Sequence, residues 1–318
     1  MRILEDRMQK RKNKNKAAHR IMTLELYLMM IPGLLYLIIN NYIPMGGLVI
    51  AFKQFNYQQG IFGSAWKDPL IGNFTYLFKT QDAVNIIRNT LAYNITFIVL
   101  GQILAITIAI MLNFMRGTKN KKIYQTVILI PYLISMIVVA YIVFGFLSTE
   151  TGLINKMITA AGGKKINFYS TKTYWPLIFI VIHLWKGFGY SSIIYYATVI
   201  GIDSALYEAA AIDGANVPQQ IWHVTLPGLK NTIITLVLMS LGGIMYSDFG
   251  LFYQVPMRST IISDVTDTID VFVFRALTSM NDVGRSSAAG FIQSIVGFLL
   301  VVSVNLIVRK IDKESALF

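Results

Sequence analysis

Apolar positions along the chain gather into six long blocks, at roughly 24–44, 88–114, 123–147, 174–199, 229–250 and 286–308. A helix of about 20 such residues crosses the hydrocarbon core of a bilayer, so each block predicts one membrane-spanning helix. The chain reads as an all-α integral membrane protein with six transmembrane helices. Polar segments between the blocks differ in charge. The leading stretch MRILEDRMQKRKNKNKAAHR carries eight of the chain's 28 Lys and Arg residues, and segments 115–122 and 309–318 carry four and three more. Cytoplasmic segments of membrane proteins are enriched in Lys and Arg, which predicts that both termini are cytoplasmic. Residues 1–23 then form a basic cytoplasmic tail, 24–309 a single six-helix transmembrane unit, and 310–318 a short cytoplasmic tail. Segments 53–87, 148–173 and 251–285 fall outside. The first apolar block is long and no A-x-A site closes it, so it reads as a span and not as a cleaved signal peptide.

Composition narrows the chemistry. Of 318 residues 55% are hydrophobic and only 14% charged, and there is no cysteine. Disulfides, thiolate metal sites and cysteine nucleophiles are excluded. His19, His183 and His223 are too scattered for a metal cluster, and the sequence contains no GxxxxGK[ST], GxGxxG or HExxH pattern. No catalytic residue, metal site or nucleotide site is expected on this chain. The net charge of +12 owes much to the tail. No folded basic module follows that tail, so it reads as a topological anchor with some attraction to lipid headgroups and not as a nucleic-acid binder.

The stretch YEAAAIDGANVPQQIWHVTLP, residues 207–227, sits between the fourth and fifth spans. Asp203 precedes a helix-forming run and is a suitable N-cap, while Gly214 suits the positive-φ position after a helix. Asn216 is placed to cap a second short helix, with Pro218 in its first turn, running to about Val224; Pro227 then starts the fifth span. Tyr207, Ala210, Ala211 and Gly214 recur at helical spacing and predict a flat face open to close approach by another surface. The order Glu208-Ala209-Ala210, three residues, Gly214, nine residues, Val224, one residue, Leu226-Pro227 resembles the EAA loop of permease subunits of bacterial ABC importers, with Val224 where isoleucine is more usual. The resemblance implies the type I importer permease fold and a coupling helix over 204–214 that docks into a separate ATPase subunit. Tyr207, Glu208, Ala209, Ala210, Ala211, Asp213, Gly214, Leu226 and Pro227 would carry that coupling. It also implies a second homologous permease, a dimer of ATP-binding subunits holding ATP and Mg, and an extracellular solute-binding protein. This chain itself would bind no cofactor. NYIPMGGLVIAFKQFNY (41–57) and TDTIDVFVFR (266–275) are similar to segments of the oligosaccharide and polysaccharide branch of sugar-importer permeases, implying carbohydrate import in the bacterial cytoplasmic membrane.

Polar side chains inside spans are costly and face a cavity or another helix. Tyr93, Asn94, Gln102, His183, Trp185, Lys186, Tyr190, Ser191, Tyr195, Tyr196, Tyr246, Asp248 and Gln293 are candidates for a substrate pathway, since amides and aromatic rings suit sugar hydroxyls and apolar ring faces. Belt positions at the interface and helix packing account for the same residues without any substrate. In the external segment, Asp264, Asp267 and Asp270 recur every three residues and predict an acidic helical stripe that gates the mouth or docks the binding protein. Two other functions stay open on sequence alone: an importer for another solute such as an amino acid or peptide, and an ATPase-independent carrier.

Overall fold

The computed structural model describes residues 26–311 and 316; the basic tail predicted over 1–23 lies outside the described residues. Five helices are long and apolar enough to cross a membrane: Leu26–Phe52, Gln81–Phe114, Lys172–Ile200, Val217–Gly242 and Val283–Lys310. The pair Thr118–Leu133 and Met136–Leu147 makes a sixth when taken as one span, bent by 91° at the break between them. The third of the six expected spans is thus broken near its middle. Hydropathy cannot see this, because the residues across the break are as apolar as those on either side. The break has local causes. Pro131 supplies no amide hydrogen to its own helix, and Ser135 restarts helix by accepting the Val138 amide at 3.4 Å.

The fifth span differs from expectation at both ends. At its start the second short helix does not stop before Pro227. Asn216 and Gln219 form a capping box over Val217–Gln220, and the chain continues through a π turn, Ile221–Thr225, into Leu226–Gly242. A proline ring clashes with the carbonyl four residues earlier in a regular helix, and widening the preceding turn to a five-residue repeat relieves the clash without a break. At its other end the span stops at Gly242, and Phe249–Gln254 forms a separate short helix.

The second and fourth spans pack along most of their length and form the frame. At the end away from the 203–216 loop, Tyr93, Phe97, Trp175, Phe179 and Phe252 make one aromatic core together with Val139 and Val271. At the loop end, Ala105, Ala109, Tyr195, Val199 and Leu229 make another. The first span is the exception: only 6% of its apolar window is buried. A helix that is apolar all round and unburied in its own chain faces lipid or another subunit.

The acidic stripe predicted over 264–270 is not formed. Ser263–Thr266 is one short turn of helix and Ile269–Thr278 is another, with Asp267 and Thr268 extended between them. Two of the three aspartates are turned inward. Asp267 receives Arg275 Nη1 at 2.6 Å with both side chains mostly buried. Asp270 Oδ2 accepts from the Ser247 amide at 2.6 Å and the Ser247 hydroxyl at 2.8 Å. Only Asp264 is half-exposed, paired with Lys172. A carboxylate beside unpaired amides gains more by capping them than by facing water.

Candidate functional site

The loop after the fourth span is built almost residue by residue from its sequence. Asp203 accepts the Ala205 amide at 2.9 Å and opens the helix Ser204–Ile212. The helix ends in Gly214 at φ +81°, with the Ala215 amide donating to Ala210 O at 2.9 Å and the Gly214 amide to Ala211 O at 3.1 Å. That pair of bonds is the Schellman arrangement, which needs a left-handed residue where glycine stands. Tyr207 and Ala210 are half-buried and face the protein: the Tyr207 hydroxyl pairs with Thr225 Oγ1 at 3.0 Å, and Thr225 is fully buried. The flat face expected to include Tyr207 and Ala210 is therefore turned toward the protein's own π turn. The outward ridge is instead Leu206, Ala209 and Ile212, with Glu208, Ala211, Asp213 and Gly214 beside it, all exposed. Ile212 is 87% exposed, an apolar tip at the far end of the molecule. Leu226 and Pro227 lie behind, at the start of the fifth span proper. Gly228 presses on the corner, where a Cβ would stand 2.6 Å from Ile202 Cδ1.

Several of the intramembrane polar residues singled out from sequence satisfy backbone where helices end or break. Asn94 Nδ2 donates to Ile244 O at 2.7 Å and Tyr246 O at 2.9 Å, just past the end of the fifth span. Gln293 Nε2 donates to Met245 O at 2.8 Å from the sixth span. Tyr93 Oη reaches Val265 O at 2.8 Å, and Asp248 caps its own short helix at Leu251 N. Lys186, near the middle of the fourth span, donates to Tyr132 O at 2.9 Å and Ile134 O at 2.6 Å across the break in the third. Water is scarce at that depth, so an exposed carbonyl there must find a protein donor. Tyr195 is fully buried and its hydroxyl donates to Gln102 Oε1. Tyr190 stacks on Tyr132 at 4.8 Å, and Tyr246 shares a hydrogen bond with Ser294. Trp185 is partly exposed on the outside of the fourth span.

A cavity of about 210 Å³ remains between the second, fourth and fifth spans. Asn94, Gln102, His183, Ser191 and Ser240 supply its polar lining, Phe97, Ile98 and Phe188 its apolar walls, and Gly101, Gly187 and Gly243 its width. The His183 ring lies flat on Phe97, centroids 3.8 Å apart. The lining carries amides, hydroxyls, an imidazole and apolar surface, and no carboxylate, ammonium or guanidinium. Of the thirteen residues named from sequence, Asn94, Gln102, His183 and Ser191 line it. Ser240 belongs to it as well, and its signal was positional: it faces the same gap only once the spans are packed.

Residues 101–314 match the family model described as the binding-protein-dependent transport system inner membrane component. The chain belongs to this family. It is a multi-pass inner-membrane permease, a transport subunit and not an enzyme. The permease is 32% identical, over 96% of its length and 94% of the relative's, to the polygalacturonan/rhamnogalacturonan transport system permease protein of Bacillus subtilis. It is 26% identical, over 87% of its length and 85% of the relative's, to the arabinooligosaccharides transport system permease protein of Halalkalibacterium halodurans. Its fold matches a chain of a bacterial alginate ABC transporter solved in complex with an alginate pentasaccharide-bound periplasmic protein, at a TM-score of 0.80 and 30% identity over 91% of this chain and 95% of that one.

Proposed function

We propose that this permease is one membrane subunit of an ATP-driven importer that brings an oligosaccharide into the cytoplasm. An extracellular binding protein delivers the sugar, a second homologous permease completes the pathway, and ATP and Mg are held by a partner pair of ATPase subunits. The single observation that carries the sugar reading is similarity over almost the whole chain to permeases named for oligo- and polysaccharides. The cavity supports it. Hydroxyl-bearing rings are met by a few placed amides and hydroxyls set in aromatic and aliphatic walls, which is the lining described above. The 204–214 helix supports the energy-coupling half of the reading, since its ridge ends in an apolar tip that nothing among the described residues covers. Ala209 on that ridge and Glu208, Ala211 and Asp213 beside it are assigned to the ATPase contact. Tyr207, Ala210, Leu226 and Pro227 hold the helix at its angle from behind.

Reconstituting both permeases, the ATPase and the binding protein in liposomes tests this. Mg-ATP is expected to drive uptake of labelled trigalacturonate or arabinotriose, with binding protein required. Uptake of a dipeptide or an amino acid in place of both sugars would move the permease to another solute class, and uptake without ATP would contradict the importer reading altogether.

A further inference from the structure

The break in the third span and the lysine in the fourth are two costly features that cancel each other. A 91° bend in mid-membrane leaves carbonyls of the Thr118–Leu133 helix without amide partners. An ammonium in mid-membrane loses its water. Lys186 Nζ resolves both: it lies 2.6 Å from Ile134 O, 2.9 Å from Tyr132 O and 3.5 Å from Pro131 O, three acceptors for three N–H groups. The positive charge also sits at the negative end of a helix dipole. One turn further along, Gly189 is pressed on the third span so closely that a Cβ would fall 1.8 Å from Ile128 O. Tyr190 closes the contact by stacking on Tyr132. The adjoining face of the same helix presents His183, Gly187 and Ser191 to the cavity. That helix ends at Ile200, and Asp203 caps the next one three residues later.

We propose that Lys186 is a coupling residue, which locks the broken third span to the fourth span so that displacement of the 204–212 helix moves the break and reshapes the cavity. This rests on the reading of that helix as the ATPase contact. The fourth span is the shared part: its loop end carries the coupling helix, one face lines the cavity and the face beside it grips the break. With the ammonium removed, the carbonyls of Tyr132 and Ile134 lose their donor and favour re-forming helix across Ile134 and Ser135, and the bent state loses its clamp. Lys186 acts through backbone and not on the sugar, so it is a positioning residue.

The test uses the full complex in lipid nanodiscs and liposomes. Spin labels on cysteines replacing Ser204 and Tyr141, both exposed, report whether ATP with vanadate moves the far half of the third span relative to the coupling helix; this readout needs no sugar. The wild-type distance is expected to change on trapping. Lys186→Met is expected to assemble and hydrolyse ATP but to lose that change, with sugar moved per ATP falling about tenfold, the scale of a modest coupling energy. Lys186→Arg, which keeps charge and donors, is expected to restore both. A Lys186→Met complex that shows the wild-type distance change overturns the proposal. So does parallel loss of assembly in Lys186→Met and in the shorter neutral Lys186→Gln, which makes the lysine structural only. Failure of wild type to move either sugar, with the distance change intact, counts against the sugar reading and leaves this one standing.

Discussion

Among single side chains outside the spans, Asp267 has the most pH-sensitive setting. Burial pushes its carboxyl up from 3.8 to about 6, with Arg275 pulling it down and Asp264 and Asp82 adding to the rise. One of its oxygens, Oδ1, has no hydrogen-bond partner among the described residues. An acid whose folded value is raised holds its proton longer folded than unfolded. Stability from this group is therefore greatest below about pH 4, falls as pH rises through the window to about 6, and stays level above it. Asp267→Asn is expected to flatten this dependence, by on the order of 1–3 kcal/mol between pH 4 and 7, in thermal unfolding of the purified permease. An unchanged slope would show that the carboxyl titrates as it does in water. Removing Arg275 instead leaves a mostly buried carboxylate alone, so Arg275→Ala is expected to destabilise by about 3 kcal/mol near neutral pH. Neither role was legible in sequence. Spacing by three placed Asp264, Asp267 and Asp270 on one stripe, and only the packed structure shows the helix interrupted between them. The same limit applies to Lys186, whose partners lie more than 50 residues away.

The two helical breaks and the loop between spans four and five show which elements a sequence reveals. Capping is local chemistry, so Asp203, Gly214, Asn216 and Pro218 were each readable at the position they occupy. Where the second helix ends was not, because a π turn absorbs Pro227 and erases the expected stop. The kink in the third span and the early end of the fifth were hidden for another reason: their loose backbone is satisfied by Lys186, Asn94 and Gln293 from other spans. Lys186 and Gln293, which look from sequence like substrate ligands, serve this purpose away from the cavity, while Asn94 both satisfies backbone and lines it. At Gly214 nothing lies within 4 Å of where a Cβ would stand, so a substitution acts through backbone strain alone. Gly214→Val is expected to cost about 1–2 kcal/mol in the loop, leave the spans inserted and assembled, and abolish sugar-stimulated ATP turnover. Wild-type turnover in an assembled Gly214→Val complex would contradict the assigned docking angle.

For the molecule as a whole, six spans, an all-helical fold and the loop carrying the family pattern were legible, since hydropathy and capping report on them directly. What was not legible is how incomplete the fold is by itself. The first span is almost unburied, and apolar side chains along it, from Leu26 to Met45, are broadly exposed. Expression without a second permease is expected to yield poorly stable, aggregating material, and co-expression to raise the yield severalfold; equal yields would mean that lipid alone suffices for that helix. The central claim is that the Ser204–Ile212 helix passes energy from an ATPase to this permease, and a chain without cysteine allows a direct measurement. A single cysteine replacing Ile212, 87% exposed at the tip of the ridge, is cross-linked to cysteines on the partner ATPase in intact membranes. The account predicts a specific cross-link whose yield changes on ATP binding, and protection of that cysteine from an impermeant reagent added outside the cell. Labelling from outside, with no cross-link to the ATPase, would contradict it.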